Sequence, residues 1–373
     1  VERQHAQQSG GRLKKEVIRI AAIGCGRVAQ HYRRILDSGV VSGWRMVGFS
    51  DLLVDRASEF ARHFDAAAFT DPETMLDNVR PDLVLILTPS GLHEAHTRLA
   101  LDRGLNVLVE KPVTMLPSHA RALAELARAK GVAYGVAFQN RLNPAIQCLR
   151  RALAQDRFGK IVTATIRLRW CRQQSYYEDG WHGTWAQDGG VINQQAIHHV
   201  DALNWLLGPI DSVCAATANR LNKLEAEDTM IAAVRFRNGA LGTIEATTAA
   251  RPEDFEASLS VVGEKGLALI GGIALNKVET WRFVEPLPED AQAQSLNSQD
   301  VPTGYGLSHG PLLQAVIDSL RAGAITIPVP VDEAIRTTEV VHALYRSDEI
   351  GSWVTVADHA VSERLGKASE SGQ

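Results

Sequence analysis

A lysine closes the run Asn106-Val107-Leu108-Val109-Glu110-Lys111-Pro112. The apolar residues before Glu110 suit a strand buried on both faces, and Pro112 ends that strand because it has no N–H for the ladder. Successive strand residues point to opposite faces, so Glu110 and Lys111 are not expected to pair with each other. An ammonium at the end of a buried strand is partly desolvated. Its pKa falls, and it can donate to, or share a proton with, a reacting hydroxyl. The plainer alternative is an ion pair at the sheet edge. A second polar set comprises Gln194, His198 and Asp201, spaced i, i+4 and i+7 within a stretch from Asn193 to Leu207 that reads as one helix stopped by Gly208-Pro209. By residue type this set is either a solvated face or the wall of a site. His198 and His199 lie about 100° apart around a helix and do not chelate one metal together.

A cofactor end can be read farther upstream. Gly24-Cys25-Gly26-Arg27-Val28-Ala29 fits G-x-G-x-x-[G/A], with a β-rich run before it, a helical pattern after it, and Asp51 at the end of the next strand. Gly24 permits the tight turn, Gly26 lets backbone approach a pyrophosphate, and Ala29 keeps the helix close to the sheet. Arg27 and Val28 open that helix, whose N-terminal N–H groups favour phosphate. Asp51 can accept from both hydroxyls of an adenosine ribose and repels a 2′-phosphate, which favours NAD over NADP. Ligands of an open parallel sheet sit beyond the carboxyl ends of its strands. Thr88 and Ser90 at one such end are therefore expected on the nicotinamide ribose. His93 joins them or sits on the surface at a helix start, and Glu110, Lys111 and Asn140 complete the cofactor set.

These residues need elements to hold them. Strand and helix patterns alternate from residue 17 to 138, implying a doubly wound α/β dinucleotide-binding domain, a Rossmann fold. From 139 to 360 the texture changes to long alternating β runs with few helices. This implies an α+β domain with a large, mostly antiparallel sheet for substrate binding and oligomerisation, including a hairpin turned at Asn238-Gly239 by a type I′ signal. Residues 1–16 and 361–373 read as disordered tails. The open face of the second sheet is expected to carry apolar residues at alternate positions, which calls for a homodimer or homotetramer. The 373 residues carry a net charge of -4, which argues against a nucleic-acid groove or a polybasic membrane patch. Four scattered cysteines without C-x-x-C make a zinc site improbable and fit a reducing cytoplasm. No metal, nucleic acid or membrane is expected.

In this order, Gly24-Cys25-Gly26-Arg27-Val28-Ala29, Thr88-Pro89-Ser90-Gly91-Leu92-His93 and Glu110-Lys111-Pro112 resemble the Gfo/Idh/MocA oxidoreductase family over about residues 17–357. The resemblance implies that Lys111 is catalytic and that its bond to Pro112 is commonly cis. The family's second motif, similar to G-G-x-x-x-D-x-x-x-H-x-x-D, falls on Gly189 to Asp201, with its catalytic histidine on His198 and its acid on Gln194. An amide cannot take a hydroxyl proton, so His198 is left as the base, with Gln194 and Asn140 orienting substrate or cofactor. Trp181-His182-Gly183-Thr184-Trp185 and Gln139-Asn140-Arg141-Leu142-Asn143-Pro144-Ala145 look like the branch that oxidises the 3-hydroxyl of UDP-N-acetylglucosamine or its uronate. Arg172 suits a pyrophosphate or carboxylate, and Tyr177, Trp181 and Trp185 suit stacking on sugar or base; the plainer alternative is a strand-end arginine among core tryptophans. The alternatives are a free-sugar or inositol dehydrogenase and, in another class, a non-catalytic dinucleotide-sensing regulator. Asp51→Ser should weaken NAD and relatively favour NADP; an unchanged preference in steady-state kinetics with both cofactors would exclude the assigned role.

Overall fold

The computed structural model describes residues 15–367. Most of the N-terminal tail, residues 1–14, and the end of the C-terminal tail, residues 368–373, lie outside the described residues. The expectation of disorder from 361 onward fails for residues 361–367. Leu365 is fully buried, Arg364 pairs with Asp348 at 2.6 Å, and the Ser362 N–H donates to His342 Nδ1. One leucine among polar residues leaves no periodicity to read, yet it suffices to seat the segment.

Six parallel strands form the first sheet: β1 (Ile18–Ile23), β2 (Trp44–Ser50), β3 (Ala67–Phe69), β4 (Leu83–Ile86), β5 (Asn106–Val109) and β6 (Tyr134–Val136). Their order is β3-β2-β1-β4-β5-β6. All residues of β4 and β5 are buried, as expected when helices cover both faces. The helices are α1 (Arg27–Asp37), α2 (Val54–Phe64), α3 (Pro72–Val79), α4 (His93–Asp102) and α5 (Pro117–Lys130). The strand order reverses between β1 and β4, so the ligand crevice opens above their carboxyl ends. β3 and α3 are not apparent from apolar patterning. The start of α3 does carry a local cue, Asp71 before Pro72, and the Asp71 side chain accepts from Thr74 N at 2.7 Å.

The second half begins with α6 (Pro144–Ala154) and adds strands β7 (Ile161–Arg169), β8 (Ile210–Ala218), β9 (Thr229–Phe236), β10 (Leu241–Thr247), β11 (Glu256–Gly263), β12 (Gly266–Gly271), β13 (Lys277–Phe283) and β14 (Val354–Thr355). They form an eight-stranded sheet ordered β13-β12-β11-β7-β10-β9-β8-β14. Only the β7–β10 pair is parallel. The hairpin at Asn238-Gly239 exists, but its turn is not type I′. Gly239 takes φ +87°, Asn238 does not take positive φ, and the Phe236 N–H donates to Ala240 O beyond the turn. This is the longer loop with a bulge glycine.

One face of this sheet is closed by helices, chiefly α6, the helix Val331–Ile350, and α8 (Ile197–Leu207) introduced below. The open face is mixed: Val262 and Leu267 are exposed on it. Ile231 and Leu241 are also exposed, but they flank a Thr165–Thr243 hydroxyl contact and an Arg169 guanidinium shared by Glu245 and Glu256.

The halves join at the edge strand β6. Gly135 bridges Pro330, and the Val136 N–H donates to Val329 O. A Cβ on Gly135 would lie 2.3 Å from Ile327 Cδ1 and 2.5 Å from Val329 O, so only glycine admits the segment. Among the described residues no helix is long and apolar enough to cross a membrane, and no cluster of three or more metal-ligating side chains occurs.

Candidate active site

The turn from β1 to α1 supplies the nucleotide end. Gly24 has φ +96°, and a Cβ there would lie 2.8 Å from the Leu87 carbonyl, so the turn sits directly on the end of β4. A Cβ on Gly26 would meet nothing within 4 Å; the backbone faces open space beside the first N–H groups of α1, where no acidic residue stands in the first turn. Val28 is half-buried. Asp51 accepts from Cys25 N and from Leu53 N, each at 2.9 Å. Its carboxylate is thus fixed by the two loops that would frame an adenosine ribose, and each oxygen keeps a further lone pair. An open glycine, unopposed helix N–H groups and an oriented carboxylate together fit a dinucleotide.

The loops after β4 and β5 are tied to one another. His93 is 1% exposed; its Nδ1 lies 2.6 Å from Pro112 O and its Nε2 2.9 Å from Thr88 O. The two carbonyls favour a second N–H on the ring, but burial outweighs them and brings the pKa down to about 4. A neutral ring carries one N–H, and the shorter contact to Pro112 O is the one read as N–H···O. His93 therefore braces the lysine loop and offers nothing to a cofactor, which corrects the alternatives considered for it. Thr88 Oγ1 meets His96 Nδ1 at 3.1 Å, and Ser90 is buried at the start of the turn Ser90–Leu92. Lys111–Pro112 is a cis peptide. Glu110 faces away from the crevice into the protein, accepting from Tyr32 OH at 2.9 Å, so it is not a cofactor ligand.

Lys111 reaches across to the other half. Its ammonium donates to Gln194 O at 2.6 Å and to Gln194 Oε1. Burial lowers its pKa, opposed by the charges of Glu110 and Asp188. The expected single helix from Asn193 is in fact two pieces, α7 (Val191–Gln194) and α8 (Ile197–Leu207), broken where Ala196 N turns back to Val191 O. The break turns the Gln194 amide toward Lys111. His198, in the first turn of α8, packs edge-on against Phe138, and its Nδ1 is buried without a hydrogen-bond partner. Burial, then the Lys111 charge, hold its pKa well below the usual histidine range. It is a neutral imidazole with a vacant lone pair, the form a proton acceptor needs. Asp201 does not continue this polar face: it is buried and bidentate to Arg141 at 2.7 Å, with Thr337 adding a third bond. Asn140 is buried in the turn Gln139–Leu142 beside that pair.

The sequence reading missed two carboxylates. Asp188 is 1% exposed and accepts only from Gly183 N, at 2.8 Å; its Oδ1 has no partner, and burial pushes its pKa up to about 8. Glu227 underlies the glycine pair, accepting from Ile192 N and Tyr345 OH, with burial raising it to about 7. A Cβ on Gly190 would fall 2.1 Å from Glu227 Oε2, which explains the second glycine. An acid immediately before a Gly-Gly pair was the available cue.

The rim is built from the segment 170–185. Arg27 leaves α1 to pair with Asp179 at 2.8 Å and lies over the Tyr176 ring at 4.9 Å. Arg172 also lies over the Tyr176 ring and over that of Trp170 while bonding Asp254 at 2.9 Å. Tyr176, unassigned from sequence, is thus the centre of the rim. Tyr177 OH meets Thr248 Oγ1 at 2.7 Å, and Trp181 stacks on His182. Trp185 is no substrate surface: it is buried against Tyr345 and beneath Arg364.

Comparison with known proteins agrees with this arrangement. Residues 18–138 match the model of the GFO/IDH/MocA oxidoreductase family's NAD-binding Rossmann fold, and residues 150–356 match its C-terminal alpha/beta domain. The WlbA dehydrogenase from Bordetella pertussis, crystallised in complex with NADH and UDP-GlcNAcA, is 32% identical, with a TM-score of 0.87 over 92% of this chain and 99% of that one. D-glucoside 3-dehydrogenase of Escherichia coli is 25% identical over 90% of this chain and 97% of its own length. The NAD-dependent scyllo-inositol 2-dehydrogenase of Bacillus subtilis is 26% identical over 68% of this chain and 74% of its own length.

Proposed function

The chain belongs to the Gfo/Idh/MocA oxidoreductase family, and from that premise we propose that it oxidises the 3-hydroxyl of a nucleotide-linked amino sugar such as UDP-N-acetylglucosamine or its uronate. It is an NAD-dependent dehydrogenase acting on the CH–OH group of a sugar. What carries the finer reading is the contact of Lys111 with Gln194: an amide occupies the position of the family's acid, so the neutral His198 is left as the proton acceptor. The relative that crystallises with a nucleotide sugar is the more similar one, and a glucoside 3-dehydrogenase supports position 3.

NAD⁺, when bound, supplies the hydride acceptor. Gly24, Gly26 and the start of α1 hold its pyrophosphate, and Asp51 its adenosine ribose. His198 takes the hydroxyl proton. The Lys111 ammonium, with one N–H to spare beyond its two bonds to Gln194, steadies the negative charge growing on that oxygen. Tyr176 and Trp181 offer faces to sugar or base. Arg27 and Arg172, now paired with Asp179 and Asp254, are the cations within reach of a diphosphate.

Lys111→Ala and His198→Ala should each lower kcat by about 10²–10⁴-fold while NAD binding, followed by fluorescence titration, stays nearly intact. A variant keeping more than about a tenth of the wild-type rate would exclude its role. The rate should be lost as pH falls through a His198 pKa below the ordinary value near 6.5, because protonation removes the base. It should be lost again as pH rises through a Lys111 pKa below the usual lysine range, because deprotonation removes the charge.

Substrate profiling separates the rival: turnover of a UDP-sugar with none on free sugars supports the proposal, and turnover of scyllo-inositol or a free glucoside alone replaces it. The exposed sheet face with Ile231 and Leu241 further supports a homodimer or homotetramer; light scattering that finds only monomer at micromolar concentration would contradict it.

A further inference from the structure

A helix of one turn does not hold its shape by itself, because that turn fixes several torsions for a single hydrogen bond. The helix α7 is such a piece, only Val191–Gln194 long, yet its last residue carries both oxygens that hold Lys111. Its shape must come from outside. Three successive N–H groups at its start are taken by two residues. Gly190 N donates to Tyr345 OH at 3.0 Å, Val191 N to Glu227 O at 3.0 Å, and Ile192 N to Glu227 Oε1 at 3.1 Å. Tyr345 OH in turn donates to that same Oε1 at 3.0 Å. The turn closes where Gln194 N donates to Gly190 O at 2.9 Å.

We propose that Glu227 is a positioning residue for the reaction: by capping α7 it sets the Gln194 oxygens against Lys111 and so fixes how firmly the ammonium holds its proton. The inference rests on the reading of Lys111 as the group that steadies the reacting oxygen. Every link from Glu227 to Lys111 is a hydrogen bond or part of one helical turn. Hydrogen bonds to a charged form favour it, so the two Gln194 oxygens oppose the burial that lowers the Lys111 pKa. Moved out of line, they let the ammonium lose its proton at a lower pH. The charge that should meet the growing oxyanion goes with it.

Glu227 serves here as an acceptor and not as a charge. Burial pushes its pKa up to about 7, but Oε1 accepts in either protonation state, since a proton has its place on Oε2, which has no partner. The groups facing Glu227 are Asp188, Tyr345 and Arg364. Those acting with Lys111 are Glu110 and Asp188, and the histidines His93, His182, His198 and His309, all held neutral by burial. A purely electrostatic role has the opposite sign. The Glu227 charge raises the Asp188 pKa; without it Asp188 ionises more readily, and the Lys111 pKa rises instead of falling.

Competitive acetylation of the full chain with trace acetic anhydride across the alkaline range, read peptide by peptide by mass spectrometry, measures the Lys111 pKa without any substrate. In Glu227→Ala that pKa should fall by about 1. The alkaline limb of kcat with NAD⁺ and UDP-N-acetylglucosaminuronate should move the same way. At neutral pH kcat should drop about 10–10²-fold, with KM for NAD⁺ unchanged. Glu227→Gln keeps the acceptor and should bring both the pKa and the rate back close to wild type. Tyr345→Phe strips the hydroxyl shared by Gly190 and Glu227; it should shift Lys111 in the same direction, and it decides the matter if Glu227→Ala does not fold. Lys111 unmoved in a folded variant of either residue to Ala or Phe, a rise in both Glu227 variants, or a fall in Glu227→Gln as large as in Glu227→Ala overturns the proposal. The catalytic reading of Lys111 fails separately, if Lys111→Ala keeps more than about a tenth of the wild-type rate.

Discussion

The Lys111 ammonium is held by two neutral oxygens of one residue, Gln194, across the crevice between the halves. A charge-assisted hydrogen bond contributes about 1.5–3 kcal/mol, whereas burying an ammonium costs several kcal/mol even after relaxation. The two bonds leave that charge incompletely compensated, and its lowered pKa is the expression of the deficit. Glu110 and Asp188 act on it only through space. Its neighbours answer to this half-compensated cation: His198, held neutral first by burial, is pushed further the same way by it, and Asp188, raised by burial, is restrained by it from rising further. The lysine loop is locked by His93 on one side, and the chain breaks between α7 and α8 to turn an amide toward it on the other.

The first half was largely legible because its physics is local. Continuous apolar runs mark β4 and β5, and the glycine spacing marks the nucleotide turn. Lys111 could be located from the strand that ends beneath it. What stayed hidden depended on contacts distant in sequence. The i, i+4, i+7 spacing of Gln194, His198 and Asp201 was real, yet the chain breaks at Gln195 and Ala196, and Asp201 turns to Arg141, some sixty residues earlier. Trp185 looked like a stacking surface because aromatic type says nothing about direction; its neighbours, Tyr345 and Arg364, come from the far end of the chain.

Asp188 and Glu227 illustrate a cost that sequence patterning does not show. Two carboxyls are buried within electrostatic reach of one another beneath the Gly189-Gly190 pair, each with an oxygen left without a partner. Such groups destabilise a fold unless a nearby cation or a proton relieves them. Here the relief comes from Lys111 in one direction and the Tyr345 hydroxyl in the other. The glycines let the backbone pass close enough for this: a side chain on either would strike Leu365 or Glu227.

The seam at β6 bears on how this architecture can diversify. Because the segment ending at Pro330 lies on Gly135 with no room for a methyl group, the two halves are keyed to one another like a tenon in its mortise. A crossover that separated Gly135 from Ile327–Pro330 would have to bring a matching key from the same parent.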